Sequence, residues 1–155
     1  MANTYTQIYI HVVFAVKNRD ALISQIWKER LHKYITGIVQ NKGHKLIAIN
    51  TMSNHAHIFI GMKPEIALSD LIRDVKRDST NFINSDIKPY GKFGWQEGFG
   101  AFSYSQSHVD RVIRYIDNQE EHHRKKSFRE EYLSMLEKFM VEFDPRYVFE
   151  WIDDK

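Results

Sequence analysis

The strongest constraint on the fold is the order of strand-like and helix-like segments in the first two thirds of the chain. Residues 5–17, YTQIYIHVVFAVK, are β-branched and aromatic over a long run, which predicts a buried strand. The same reading predicts strands at 44–52, 55–62 and 97–104, and amphipathic helices at 24–41 and 68–85. The segments therefore follow the order β-α-β-β-α-β.

That order predicts an α+β, ferredoxin-like antiparallel sheet with both helices on one face. In helix 24–41 the predicted apolar face is formed by Ile26, Leu31, Tyr34, Ile35 and Ile38, and Gly43 follows the helix as its terminator. A further helix at about 107–126, with Ser107 as its N-cap, is appended after the sheet, and a shorter helical segment follows at 128–142. We expect residues 1–155 to form one domain.

Composition excludes several classes of protein. The 155 residues are 43% apolar without a low-complexity tract, which argues against disorder. The chain has no cysteine, so it forms neither a disulfide nor a thiolate metal site. It shows no signal peptide and no apolar run long enough to cross a membrane, so we expect a cytoplasmic protein without membrane contact. The net charge of +2 is too small to indicate nucleic-acid binding by itself.

The segment 51–60, TMSNHAHIFI, carries two histidines separated by one alanine. Side chains alternate along a strand, so His55 and His57 project from one face, about 7 Å apart along the backbone. Ala56, Ile58 and Ile60 project from the other face, which we expect to lie under the two helices. The imidazoles are then either buried packing residues or two ligands of one metal ion, and the pair alone does not decide between these readings.

The helix at 107–126 places Tyr115 and Gln119 four residues apart, so the two side chains are neighbours on one flank of its apolar stripe. Arg111 and His122 fall on the same flank. Taken alone, Tyr115 is equally consistent with a tyrosine at the edge of the core whose hydroxyl reaches water. Gln119 alone is consistent with a solvent-exposed residue that favours helix. Two clusters of cationic residues are predicted, in the absence of other evidence, to be solvent-exposed helix faces. They are Arg73, Lys76 and Arg77, and His122, His123, Arg124, Lys125 and Lys126.

These patterns together resemble a known family. His55-Ala56-His57 resembles the HUH motif, in which two histidines flank a bulky or apolar residue. Tyr115 with Gln119 resembles the catalytic helix of single-tyrosine HUH transposases, the TnpA type of minimal bacterial insertion sequences. The segment from Gly94 to Lys126 resembles that family throughout, and the resemblance spans nearly the whole chain.

The resemblance implies a role for each matching position. Tyr115 would be the nucleophile, and His55, His57 and Gln119 would bind one divalent ion, Mg²⁺ or Mn²⁺. The substrate would be single-stranded DNA with hairpins at the ends of an insertion sequence, cut and rejoined through a 5′-phosphotyrosine. The protein would act in the bacterial cytoplasm as a homodimer, with the tyrosine helix of one subunit meeting the histidines of the other.

We predict that the cations Arg73, Lys76, Arg77 and Arg111 hold the DNA backbone. Three alternatives remain open at this point. One is a REP-associated relative, although the Asn-Pro that typically follows its tyrosine is absent here. Another is a metal-dependent phosphodiesterase without a covalent step. The third is a non-catalytic single-strand binder that uses the sheet and the aromatic residues Trp95, Phe99 and Tyr104.

Overall fold

A four-stranded sheet forms the centre of the molecule. The structure is a computed structural model that describes residues 3–152. The strands are β1 (Tyr9–Ala15), β2 (Lys45–Met52), β3 (His55–Gly61) and β4 (Gly100–Tyr104), in the spatial order β2-β3-β1-β4. Each neighbouring pair is antiparallel. This arrangement confirms the predicted α+β sheet.

Five α-helices complete the described part of the chain: α1 (Lys28–Asn41), α2 (Leu68–Phe82), α3 (Val109–Asp117), α4 (Gln119–His123) and α5 (Phe128–Lys138). Within residues 3–152, none of the helices has the length and apolar character needed to cross a membrane. The first two helices precede β2 and β4, as the sequence predicts, and the last three follow the sheet.

Helices α1 and α2 pack on one face of the sheet and form the main apolar core. The sheet residues of this core are Val12 and Phe14 of β1, Val16 directly after β1, and Ala56, Ile58 and Ile60 of β3, all fully buried. Leu31 and Ile35 of α1 and Leu71 and Val75 of α2 close over them. Alternation along the strands thus sends every second side chain into this core.

The C-terminal helices cover the opposite face, which we call the histidine face because it carries His55 and His57. Phe59 packs there against Val112 and Ile116 of α3. Helix α5 lies over β1 and β4, with the Tyr132 ring so close to Gly100 that a Cβ at that position would collide with it. The histidine face is therefore enclosed by the chain's own helices.

Two predicted helix boundaries are wrong at their N-terminal ends. The helix predicted at 24–41 begins at Lys28, because the Ile23 N–H is tied to Ser53 O at 2.9 Å and holds the preceding segment out of helical geometry. Ile26 consequently lies outside the helix, 93% exposed, rather than in its apolar face. Ser107 does not cap α3: its hydroxyl contacts Ser105 and His108 within a short 3-10 turn.

The predicted continuous helix at 107–126 is broken at Asn118, which separates α3 from α4 with φ −98° and ψ 25°. The physical reason lies on the neighbouring strand. The Asn50 amide of β2 donates to the carbonyls of Ile116, at 2.9 Å, and of Asp117, at 3.5 Å. These carbonyls end α3 by bonding to the sheet.

Candidate active site

The two histidines of the motif are fully buried on the histidine face. Nδ1 of His55 lies 2.6 Å from Asn54 Oδ1, and Nδ1 of His57 lies 2.8 Å from His11 Nε2. The Nε2 atoms of both rings are buried without a hydrogen-bond partner among the described residues. A buried imidazole that is oriented through one nitrogen and leaves the other for a ligand is typical of a metal-binding histidine.

Tyr115 and Gln119 approach this pair from α3 and α4. The Tyr115 ring stands edge-on to the His57 ring, with 6.0 Å between the ring centroids. Tyr115 is half-buried, and Gln119 is fully buried. The Gln119 amide lies 3.4 Å from the Tyr115 carbonyl, so the two residues share one flank despite the break at Asn118. Tyrosine and histidines of one chain meet here, in contrast to the two-subunit site that the resemblance implies.

Two residues that sequence reasoning missed complete the cluster: His123 of α4 and Glu131 of α5. Glu131 Oε1 lies 3.5 Å from His55 Nε2, 3.3 Å from His57 Nε2 and 3.1 Å from His123 Nε2. Glu131 is 2% exposed. The carboxylate therefore sits among three imidazoles at the centre of the histidine face.

The second oxygen of Glu131 faces the tyrosine. The Tyr115 hydroxyl donates a short hydrogen bond to Glu131 Oε2, and the Gln119 amide donates to the same atom at 3.1 Å. His122 Nε2 lies 3.5 Å away. One carboxylate thus links the candidate nucleophile to the imidazole cluster.

A spacing signal for His123 was present in the sequence. Tyr115, Gln119 and His123 follow one another at intervals of four, so each lies one turn beyond the last. The prediction of a solvated cationic cluster at 122–126 is wrong for His123, whose side chain is 3% exposed. For Glu131 the sequence offers no comparable signal, because its position depends on how α5 folds back over the sheet.

Burial sets the protonation states of this site. Burial lowers the pKa of His55 to about 3, although the Glu131 carboxylate 3.5 Å from its Nε2 opposes the shift. Burial would raise the pKa of Glu131, but the attraction of His57 and hydrogen bonds from the surrounding histidines hold it well below its usual range. Burial, followed by the charge of Glu131, raises the pKa of Tyr115 well above its ordinary value. At neutral pH the site therefore combines a neutral His55, a charged Glu131 and a protonated Tyr115.

The donor set fits a divalent metal ion. One ligand atom from each of His55, His57, His123 and Glu131 lies within 4.8 Å of the others. Imidazole nitrogens with one carboxylate oxygen suit Mn²⁺ better than Mg²⁺, which prefers oxygen. Gln119 Oε1 lies 2.9 Å from His123 Nε2, so the amide is engaged with two members of the cluster. Its role as a metal ligand stays a prediction.

The cations predicted on α2 lie on the other face of the sheet and already have partners. Arg73 pairs with Asp70 at 3.2 Å and Asp74 at 3.3 Å, and Arg77 pairs with Asp74 at 3.2 Å and Asp78 at 3.0 Å. Lys76 is half-buried: its Nζ donates to the carbonyls of residues 96 and 98 at 2.8 and 2.6 Å, and burial lowers its pKa to about 8. DNA binding by these three residues stays a prediction.

Arg111 lies beside Tyr115 on the surface of the molecule. It is exposed on α3, one turn before Tyr115, and both residues line the same groove of about 510 Å³. His122 lines this groove too, so the predicted common flank of Arg111, Tyr115 and His122 is observed. Of the three aromatic residues suggested for a single-strand platform, Trp95 is 8% exposed and packs with Phe99 in the main core, whereas Tyr104 is half-buried and lines the groove.

A sheet with two buried histidines that face a tyrosine-bearing helix is the arrangement of a class of DNA-processing proteins. Comparisons with known protein families and structures place the chain in that class. Residues 4–119 match the family described as "Transposase IS200 like". Because the match spans well over half of the chain, the protein belongs to the IS200-like transposase family. His123 and Glu131 lie beyond the matched residues.

Individual relatives are distant. The ISDra2 transposase TnpA of Deinococcus radiodurans is 20% identical over 118 residues, which cover 73% of this chain and 84% of the relative. A crystal structure described as a transposase of Deinococcus radiodurans R1 has a TM-score of 0.60 at 20% identity, covering 77% of this chain and 95% of the other. A REP-associated tyrosine transposase bound to a REP hairpin has a TM-score of 0.59 at 14% identity, covering 79% and 73%. The two solved structures share the fold.

Proposed function

We propose that this transposase cuts and rejoins single-stranded DNA at insertion-sequence ends through a 5′-phosphotyrosine on Tyr115. The observation that carries the proposal is the position of Glu131. One of its oxygens accepts from the Tyr115 hydroxyl, and the other lies 3.3 Å from His57 Nε2 and 3.5 Å from His55 Nε2. A nucleophile and a metal-type donor set joined by one side chain support phosphodiester transfer better than core packing.

His55, His57, His123 and Glu131 would hold the divalent ion, with Gln119 beside them as a further proposed ligand. The Nε2 atoms of His55 and His57 support this assignment, because both face the Glu131 carboxylate, at 3.5 and 3.3 Å, without a hydrogen bond. A bound divalent ion would neutralise charge on a non-bridging phosphate oxygen. Which of Mg²⁺ or Mn²⁺ serves in the cell depends on supply as well as on the donors.

The transfer exchanges one phosphorus–oxygen bond for another. The Tyr115 oxygen attacks phosphorus and forms a new P–O bond, while its proton is released to solvent; Glu131 Oε2, the acceptor of its hydrogen bond, orients the hydroxyl. The bond from phosphorus to the 3′ oxygen breaks, and the 3′ oxygen leaves with the electron pair and takes a proton from solvent. Rejoining is the reverse attack by a 3′-OH, which loses its proton to solvent while the tyrosine oxygen leaves phosphorus and takes up a proton. No nucleotide hydrolysis is needed.

The proposed DNA partner is a hairpin with an unpaired segment at each end of the element. The family membership supports a DNA substrate, and the REP hairpin in one structural relative supports recognition of a folded strand. Excision requires two cleavages, and each chain has one Tyr115, so we propose a homodimer. In the described chain, Tyr115 and the histidines meet within a single subunit, which favours two sites that each belong to one subunit.

A second candidate is the processing of repetitive hairpins, favoured by the likeness to the REP-associated transposase. The residues after the tyrosine, Asp117-Asn118-Gln119-Glu120, lack the Asn-Pro typical of that group, which weighs against it. The two candidates share the covalent step and differ in the DNA. Imperfect palindromes just outside both ends of the coding region would favour a mobile element.

The covalent step is tested with 3′-labelled single strands that tile the DNA flanking the coding region. In the presence of Mn²⁺, we expect the label to move with the protein on a denaturing gel. Tyr115→Phe should abolish this adduct while DNA affinity, measured by fluorescence anisotropy, is kept. The matched control is Tyr147→Phe, a change at an exposed tyrosine, which should leave the adduct intact. An adduct that survives Tyr115→Phe would reject the nucleophile, and cleavage without any adduct would indicate a phosphodiesterase.

A further inference from the structure

A groove runs beside Tyr115 between helices α3 and α5. We call it the α3–α5 groove; its volume is about 510 Å³, and the residues that matter for its chemistry are Tyr104, Arg111, Tyr115, Lys126, Lys138 and Phe139. Helix α5 and Phe139 lie beyond the residues that match the family, so one wall of the groove belongs to this chain's C-terminal segment. The groove is large enough for a small organic ligand.

The floor of the groove is aromatic. The rings of Tyr104 and Phe139 meet edge to face, with 5.4 Å between their centroids, and both side chains are half-buried. Phe102 packs against Phe139 from below at 4.9 Å, and Phe59 packs against Tyr104 at 6.1 Å. The two rings are thus fixed by the core while part of each faces the groove. Fixed aromatic surfaces of this kind stack on nucleobases.

The rim of the groove is cationic. Arg111 and Lys138 are exposed, and Lys126 is half-buried with its Nζ 3.1 Å from the Ser134 hydroxyl. Among the described residues that line the groove, Glu131 is the one acid, and its oxygens face Tyr115 and the imidazole cluster. Three cations around an aromatic floor complement a ligand that has phosphates on both sides of a flat base.

We propose that the α3–α5 groove binds one unpaired nucleotide next to the phosphate that Tyr115 attacks, with its base against Phe139 and Tyr104. The position of the attacked phosphate rests on the proposed function, whereas the binding of a base in the groove does not. Tyr115 lines the groove, so a nucleotide bound there can bring a phosphate beside the tyrosine hydroxyl. The C-terminal segment would then contribute both Glu131 and a substrate contact.

The test combines a ring deletion with a base deletion. Affinity is measured by fluorescence anisotropy in the Tyr115→Phe background, so that no cleavage interferes, with a hairpin-bearing single strand and a series in which each unpaired position is abasic in turn. Phe139→Leu keeps the apolar side chain but removes the ring. We expect it to weaken binding of the intact strand about tenfold. For the strand that is abasic at one particular position, Phe139→Leu should no longer weaken binding, because the missing base is the one that stacks on Phe139.

A second variant guards against a folding defect at Phe139. Lys138 is exposed, so Lys138→Glu should fold normally and weaken binding, whereas the matched control Lys33→Glu on α1 should not. The proposal is overturned if Phe139→Leu losses add to the base deletion at every position, or if Lys138→Glu and Lys33→Glu bind equally. It is also overturned if Phe139→Leu alters only self-association in sedimentation, since the groove would then contact a second copy. Failure of the Tyr115 adduct would reject the proposed function and leave this binding result standing.

Discussion

The two faces of strand β3 are buried to the same extent but differ in chemistry. Ala56, Ile58 and Ile60 on one face and His55, His57 and Phe59 on the other are all 0% exposed. The first set meets the apolar sides of α1 and α2. The two histidines instead meet a carboxylate, an amide and a tyrosine hydroxyl from the C-terminal helices.

Burying polar groups in this way costs free energy unless each finds a partner. On the histidine face, His55 and His57 each keep one nitrogen without a hydrogen bond, facing the Glu131 carboxylate at 3.5 and 3.3 Å. Packing alone would favour apolar residues there, as on the other face. The comparison therefore indicates that one face of β3 holds the fold together and that the other serves a reaction. It predicts different outcomes for substitutions at neighbouring residues, about 3.3 Å apart along one strand.

The largest effect is expected from separating Tyr115 and His57 onto different subunits, since the structure brings both residues of the candidate active site together within one chain. Heterodimers of Tyr115→Phe and His57→Asn subunits, purified with two different tags, should form no covalent DNA adduct, because neither chain keeps both tyrosine and histidine. Heterodimers of wild type with Tyr115→Phe, prepared in the same way, should form it. Adduct formation by the doubly mutant heterodimer would mean that the tyrosine of one subunit serves the histidines of the other, as the family resemblance implies.

The next effect is on stability. Ile58→Ala removes a fully buried side chain from the apolar face, and we expect the free energy of unfolding to fall by about 2–5 kcal/mol. Urea denaturation followed by circular dichroism measures the change. The folded fraction should still form the DNA adduct, since the α1–α2 core does not touch Tyr115. An adduct lost while the protein remains folded would contradict the separation of the two faces.

The sequence predicts the sheet and the positions of His55, His57, Tyr115 and Gln119 because these depend on local periodicity. Alternation within β3 and the spacing of four between Tyr115 and Gln119 both survive folding. Glu131 could not be predicted, because it reaches the site only through the path of the chain after α4. The break at Asn118 was also hidden, since it depends on the Asn50 amide from another strand. Contacts between residues far apart in sequence therefore determine the features that local sequence patterns do not predict, here the position of Glu131 and the end of α3.

The smallest effect concerns the cations. For single strands, log affinity falls with log salt at a slope of about −0.7 per phosphate contact. Arg111→Ala should flatten the slope by about 0.7, as expected for one lost contact beside Tyr115. The prediction for α2 requires Arg73→Ala/Arg77→Ala to flatten it by about 1.4. Because both arginines are ion-paired on the other face, we expect Arg111 to have the larger effect per residue. An unchanged salt-dependence slope in Arg111→Ala would show that Arg111 does not contact a DNA phosphate.

The metal centre on the histidine face is tested most directly by measuring Mn²⁺ binding with isothermal titration calorimetry, in the absence of DNA. We expect one ion per chain for the wild type and for Glu137→Gln, a change at an exposed position of α5 that serves as the matched control. Glu131→Gln should weaken binding at least tenfold, because the change removes the charged oxygen among the imidazoles. A saturating ion should also stabilise the wild type against urea, by about 2.7 kcal/mol at one hundred times the dissociation constant. Equal Mn²⁺ affinity in Glu131→Gln and Glu137→Gln, or no binding by the wild type, would contradict a metal centre on the histidine face.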